Sequence, residues 1–155
     1  MKMRTLIRLF FPVVACVLFT SVASAQPWRG WRGSDGWGMN SAYQRMYNPA
    51  TVETLIGEIV AIENSIPMRG MANGIHLTMK TAKETIAVHL GPQWFIERLD
   101  TRLAKGDSIE VRGSRVIFDG KPAIIAAEIK KGDEALLLRN EAGIPVWSGM
   151  GARRR

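Results

Sequence analysis

His76 and His89 are the only histidines in a chain of 155 residues, and both fall within GIHLTMKTAKETIAVHL, residues 74–90. An imidazole can hold a metal ion or exchange a proton near neutral pH, so two of them close together would make a chemical site. The surrounding pattern says how close they come. Ile75, Leu77 and Met79 alternate with polar residues, as do Ile86, Val88 and Leu90, which predicts two strands. Pairing Lys80 with Thr85 places His76 opposite His89; a slip by one residue would mix the apolar and polar faces, whereas a slip by two keeps them and stays open. Direct opposition sets the Cβ atoms about 4.5–5.5 Å apart, near enough for two imidazoles to approach one ion. His76, Thr78, Lys80, Thr85 and His89 then form the candidate ligand-facing set, with Ala87 between them.

Metal binding asks for more than two imidazoles. Zinc takes four ligands, or three and a water. Glu53, Glu58 and Glu84 offer carboxylates, but nothing in their spacing assigns them to such a site. Met68 and Met71 lie on the loop before His76, and thioethers suit Cu(I), so the candidate metal set is His76, His89, Met68 and Met71. The plainer alternative is two histidines on a polar face, one of them held by the backbone near Gly91. Catalytic signatures are missing: no Ser-His-Asp order, zinc-protease helix or phosphate loop occurs. The expectation is a protein without catalytic activity and without a cofactor.

The first 25 residues read as an export signal. Lys2, Arg4 and Arg8 precede an apolar run from Leu9 to Phe19, and Ala23-Ser24-Ala25 is a small-residue cleavage site. The run is interrupted by Pro12 and is short for a membrane span, which needs about 20 residues. No stable span is expected after cleavage. Cys16 is the single cysteine, and VVAC loosely matches a lipoprotein signal, although the apolar run continues beyond it. Cleavage after Ala25 leaves no cysteine, which excludes disulfides and thiolate chemistry.

Charge is unevenly placed. The formal net charge is +7, of which Lys2, Arg4 and Arg8 carry three units within the signal. Arg29, Arg32 and the basic tail Arg153, Arg154 and Arg155 carry five more, leaving residues 33–152 near −1. A nucleic-acid binder wants its basic track on the folded surface, so this distribution argues against one.

The elements that would position the histidines follow in order. Residues 26–47 form a Gly- and Trp-rich leader, expected to be flexible, with Trp28, Trp31 and Trp37 available for docking. Asn48-Pro49 opens a domain expected over 48–149, and 150–155 is a basic tail. TVETLIGEIVAIE predicts a long strand bent or bulged around Gly57. The hairpin follows, then a helical period through Trp94, Ile96, Leu99 and Leu103. Strands are predicted through Ile109 to Phe118 and through AIIAAEI, separated by a DGKP turn, with ALLLRNEAGIPVW closing the domain and docking Trp147. The predicted fold is all-β: a small OB-like Greek-key β-barrel with one short helix between strands 3 and 4.

AKGDSIEVRGSRVIFDGKPAIIAAEIKKG, together with YNPATVETLIGEIVAIE, GIHLTMKT and GIPVWSG, resembles a family of exported bacterial OB-fold-like proteins, some labelled DNA-binding. The resemblance spans residues 47–149 and implies a fold and a compartment, without catalytic or binding residues to carry over. The expected function is an exported OB-like binding or assembly domain of the cell envelope, periplasmic or secreted. Its partner would be an envelope protein, a surface polymer or a small solute. The alternatives are periplasmic copper or zinc binding through His76 and His89, and nucleic-acid binding through the strand face and basic tails.

Overall fold

The computed structural model describes residues 34–150. The signal, residues 26–33 of the leader and Arg153–Arg155 lie outside the described residues. Six strands run in the order β1 (Val52–Ser65), β2 (Gly74–Thr81), β3 (Thr85–Pro92), β4 (Ser108–Phe118), β5 (Lys121–Lys131) and β6 (Glu134–Leu137). A single helical turn, α1 (Gln93–Ile96), follows β3. They form one sheet in the order β3-β2-β1-β4-β5-β6, and β3 also pairs with β5 in parallel.

The long β1 serves two neighbours. Its first half pairs with β4 and its second with β2, and Gly57 is paired on both sides, with Ile109 and with Thr81. A side chain at Gly57 would run into the Lys80 carbonyl and Met79, so the close approach of β2 requires glycine here. The expected irregularity falls just beyond, as a register shift between Ile59 and Ala61. β4 and β5 are joined by Asp119-Gly120, both at positive φ (50° and 75°), as a two-residue hairpin turn requires.

The OB-like Greek-key barrel is corrected to a β-rich sheet with a short helix after β3. The reason lies in β5, whose far side is divided. Residues 123–125 pair with β3, whereas residues 128–131 pair with β6, which adds a sixth strand to the sheet. Ala126 and Ala127 sit in the gap, and their carbonyls are taken by other donors. Ala127 O accepts from the backbone N–H groups of Leu138 and Arg139, and Ala126 O accepts from Arg139 Nη1. The helical period from Trp94 to Leu103 yields only one α-helical turn, and the chain reaches β4 without another helix.

The flanks of the sheet complete its core. Trp37, Tyr43 and Tyr47 are buried, so the described part of the leader, residues 34–47, sets three aromatic side chains into the core. From the other end Leu138, Arg139 and Trp147 are buried in full. The two tryptophans meet edge to face, and Trp147 Nε1 donates to Trp37 O at 2.9 Å. Gly74 and Gly91 leave the room for these indoles, since a Cβ at Gly74 would strike Trp37 and one at Gly91 would strike Trp147.

Candidate functional site

Alternation along β2 and β3 sets the register His76↔His89, Thr78↔Ala87 and Lys80↔Thr85. The imidazoles are stacked, with ring centroids 3.8 Å apart and planes 2° from parallel. Lys80 and Thr85 are exposed and Thr78 is half-buried at the open end of this face. The histidine end is different. His89 is 2% exposed, so it does not face a solvent-borne ligand as the sequence suggested. Phe118 meets it edge-on at 4.7 Å and Tyr43 lies parallel to it at 6.0 Å. The physical reason is long-range: β3 is tucked against β5, and the turn carrying Tyr43 folds over the pair.

Each ring is held by a hydroxyl. Tyr43 Oη lies 3.0 Å from His89 Nδ1, and Ser65 Oγ lies 2.8 Å from His76 Nδ1, contacts that a neutral imidazole can make. His76 Nε2 is buried without a hydrogen-bond partner. Protonating it would bury an uncompensated N–H⁺, and burial lowers the His76 pKa to about 4. His89 is pushed down to about 3, first by burial, then by the neighbouring His76 and by the Arg139 guanidinium. Both rings are neutral at pH 7.

This arrangement stacks rather than chelates. Imidazole lone pairs lie in the ring plane, and an ion sits about 2.0–2.1 Å from the nitrogen in that plane. Two nearly parallel planes 3.8 Å apart cannot both contain one ion. Met71 is buried in the core, where its side chain lies against Gly36, and Met68 packs at the core's edge. Both methionines therefore act as packing. Among the described residues no three His, Cys, Asp or Glu side chains gather as a metal site would need.

A second buried polar centre was not foreseen. Arg139 is fully buried and stacks over Trp147, with its guanidinium carbon 4.9 Å from the ring centroid. Nη1 donates to Leu90 O at 3.0 Å and also to Ala126 O, while Nε donates to Gln44 Oε1 at 3.3 Å. Gln44 in turn donates to Gly143 O at 2.5 Å. Burial draws the Arg139 pKa down to about 10, still well above neutrality, and burial raises those of Tyr43 and Tyr47. In the sequence Arg139 is one arginine in a turn-like RNEAG, and only the split of β5 gives it a task.

The outward face of the sheet is ordered by ion pairs. Ile56, Glu110, Lys130 and Ala135 form one row across β1, β4, β5 and β6, and Thr54, Arg112, Glu128 and Leu137 form the next. Arg112 pairs with Glu128 at 3.3 Å and Lys130 with Glu110 at 3.5 Å. Ile56 and Leu137, 66% and 54% exposed, stand at opposite ends of the rows. Elsewhere Arg115 joins Glu53 and Glu84, which links the start of β1 to the turn before β3. The Glu84 carboxyl is held below its usual range by that contact.

The MamS/MamX magnetosome protein family matches residues 51–136, more than half of the chain and the span from β1 to Leu136 in β6. The chain belongs to that family. No curated protein matches it. Membership in a MamS/MamX magnetosome family corrects the resemblance to exported OB-fold-like proteins, some labelled DNA-binding. It also overturns the reading as a generic envelope binding domain and as an ordinary periplasmic or secreted protein. Among the described residues no helix is long and apolar enough to cross a membrane. The MamS/MamX match includes both histidines, Ser65 and Phe118, but Tyr43, Arg139 and Trp147 lie beyond its ends.

Tyr43→Phe isolates the contribution of one flank to the pair. It keeps the ring and strands His89 Nδ1 in the interior, an expected loss of about 1–2 kcal/mol. Urea denaturation should show the lower midpoint with an unchanged slope; an unchanged midpoint would show that the hydroxyl does not support the ring.

Proposed function

We propose that this chain is a magnetosome-associated protein that acts without catalysis, as an assembly domain joined to another magnetosome protein through the outward face of β1, β4, β5 and β6. The observation that carries this reading is the pair of cross-strand rows on that face. Ion pairs hold Arg112, Glu128, Lys130 and Glu110 in place, and exposed Ile56 and Leu137 supply apolar contact at either end. Protein interfaces combine such apolar contact with charges that set register and orientation. The neutral, stacked histidines support a structural role for the interior of the hairpin.

The test is fractionation of magnetosome-forming cells that express the tagged chain. The wild type should co-purify with magnetosomes, and Ile56→Asp combined with Leu137→Asp should reduce its amount there several-fold. Both positions are exposed, so the thermal midpoint should change little. Recovery of the wild type in the soluble fraction would sink the association, and full retention of the double variant would sink this face as the contact.

A further inference from the structure

The charges on the outward face follow a pattern that two copies of the face can share. β4 carries Glu110 and then Arg112, and the residues paired with them on β5 are Lys130 and Glu128. The sign therefore reverses along each strand and again from one strand to the next. Residues two apart on a strand lie about 6.8 Å apart and neighbouring strands about 4.8 Å apart, so the four charges make one small, neutral checkerboard. The apolar side chains beside it are ordered in the same way. Exposed Ile56 shares β1 with exposed Thr54, and exposed Leu137 shares β6 with exposed Ala135.

Homodimers close about a two-fold axis that sets one surface against its own copy, so a patch of a single sign would repel itself. The checkerboard does not. With the axis lying in the face and across the strands, each strand meets its own copy in reverse. Glu110 then faces the partner's Arg112, and Lys130 faces the partner's Glu128. Ile56 meets the partner's Thr54, and Leu137 meets the partner's Ala135. Each pairing occurs twice. No like charges among them meet, and each large apolar side chain finds a smaller one. Packed sheet faces lie about 10 Å apart, which leaves room for arginine, lysine and glutamate side chains to interleave. Within one chain, an exposed ion pair contributes at most about 1 kcal/mol, so the pattern does little for the folded monomer.

We propose that the protein partner at this face is a second copy of this chain, joined face to face across β1, β4, β5 and β6. This deepens the assembly role proposed above and rests on it, because the face is the same. The two fail separately: the purified chain reports self-pairing, and cell fractionation reports whatever protein occupies the face.

The experiment is sedimentation equilibrium of the full chain at concentrations up to about 100 μM, which captures a weak dimer. Residues 9–19 are the same in every variant, so differences between variants read the face. Arg112→Glu with Lys130→Glu makes the checkerboard acidic, and Glu110→Lys with Glu128→Lys makes it basic. The wild type is expected as a dimer. Each variant alone should dimerise at least about tenfold more weakly, because like charges then oppose one another across the axis. An equimolar mixture of the two should restore the dimer, a recovery that damage to either fold could not produce. Arg112→Gln with Lys130→Gln avoids crowding like charges on one sheet and should also weaken the dimer. A monomeric wild type would overturn the proposal, as would dimers that persist in every variant or a mixture that stays monomeric. A monomeric wild type whose association with magnetosomes still falls in the Ile56→Asp, Leu137→Asp variant would give the face to a different protein.

Discussion

Acidification from pH 7 to pH 4.5 is expected to lower the free energy of unfolding by roughly 5 kcal/mol, most of it through His76 and His89. Their ordinary pKa is 6.5, and in the fold they lie at about 4 and about 3. Between 6.5 and about 4 the unfolded chain therefore binds two protons that the folded chain refuses. Stability must rise with pH across that window, by about 1.4 kcal/mol per unit for each ring. The contribution is complete above the ordinary pKa, is lost as pH falls, and levels off below about 3. Glu84 and Asp107 titrate below the ordinary carboxylate range and add their own dependence only at lower pH. Urea unfolding at half-unit steps of pH provides the measurement, with a His76→Asn, His89→Asn double variant as reference. A wild type whose stability is flat between pH 6.5 and 4.5 would refute the buried neutral pair.

The second large effect is expected at Arg139. Arg139→Ala removes the donor of Leu90 O and Ala126 O, breaks the link to Gln44 and uncovers Trp147. Each buried acceptor left without a donor costs about 1–3 kcal/mol, so the loss should reach about 3–5 kcal/mol. Replacing a buried ion pair by a hydrophobe of similar volume is often neutral, but Arg139 is paired with no carboxylate among the described residues. Two of its acceptors are backbone carbonyls, which cannot be removed with it. Arg139→Met should therefore still lose at least about 2 kcal/mol, because filling the volume leaves those carbonyls without a donor. Arg139→Lys should fall between the wild type and Ala, since an ammonium cannot reproduce the planar fork. A neutral Arg139→Met would show that packing, and not carbonyl capping, explains the residue.

The local half of this structure was legible in the sequence. Period-two alternation determines which residues share a face, and closing the hairpin with Lys80 opposite Thr85 brings His76 opposite His89. The bend near Gly57 and the Asp-Gly turn at 119–120 are likewise local chemistry. What covers a face is not local. Tyr43 reaches His89 across 46 positions, from a segment with no helical or strand period. The expected exposure of His89 failed for that reason, and the near-parallel set of the two rings is a packing that strand periodicity does not encode. The sheet as a whole was misread because the division of β5 between β3 and β6 is a long-range pairing that strand periodicity does not encode.

The tryptophan junction bears on what counts as the folding unit. The family segment ends at residue 136, yet the indoles of Trp37 and Trp147 and the guanidinium of Arg139 occupy the interior of that same sheet. The matched segment is therefore completed in this chain by pieces from either side. Divergence in those pieces would reach the hairpin from within, through the ring against His89 and the donor on Leu90 O. The environment of His89 is thus set in part by Tyr43 and Arg139, which lie outside the matched segment.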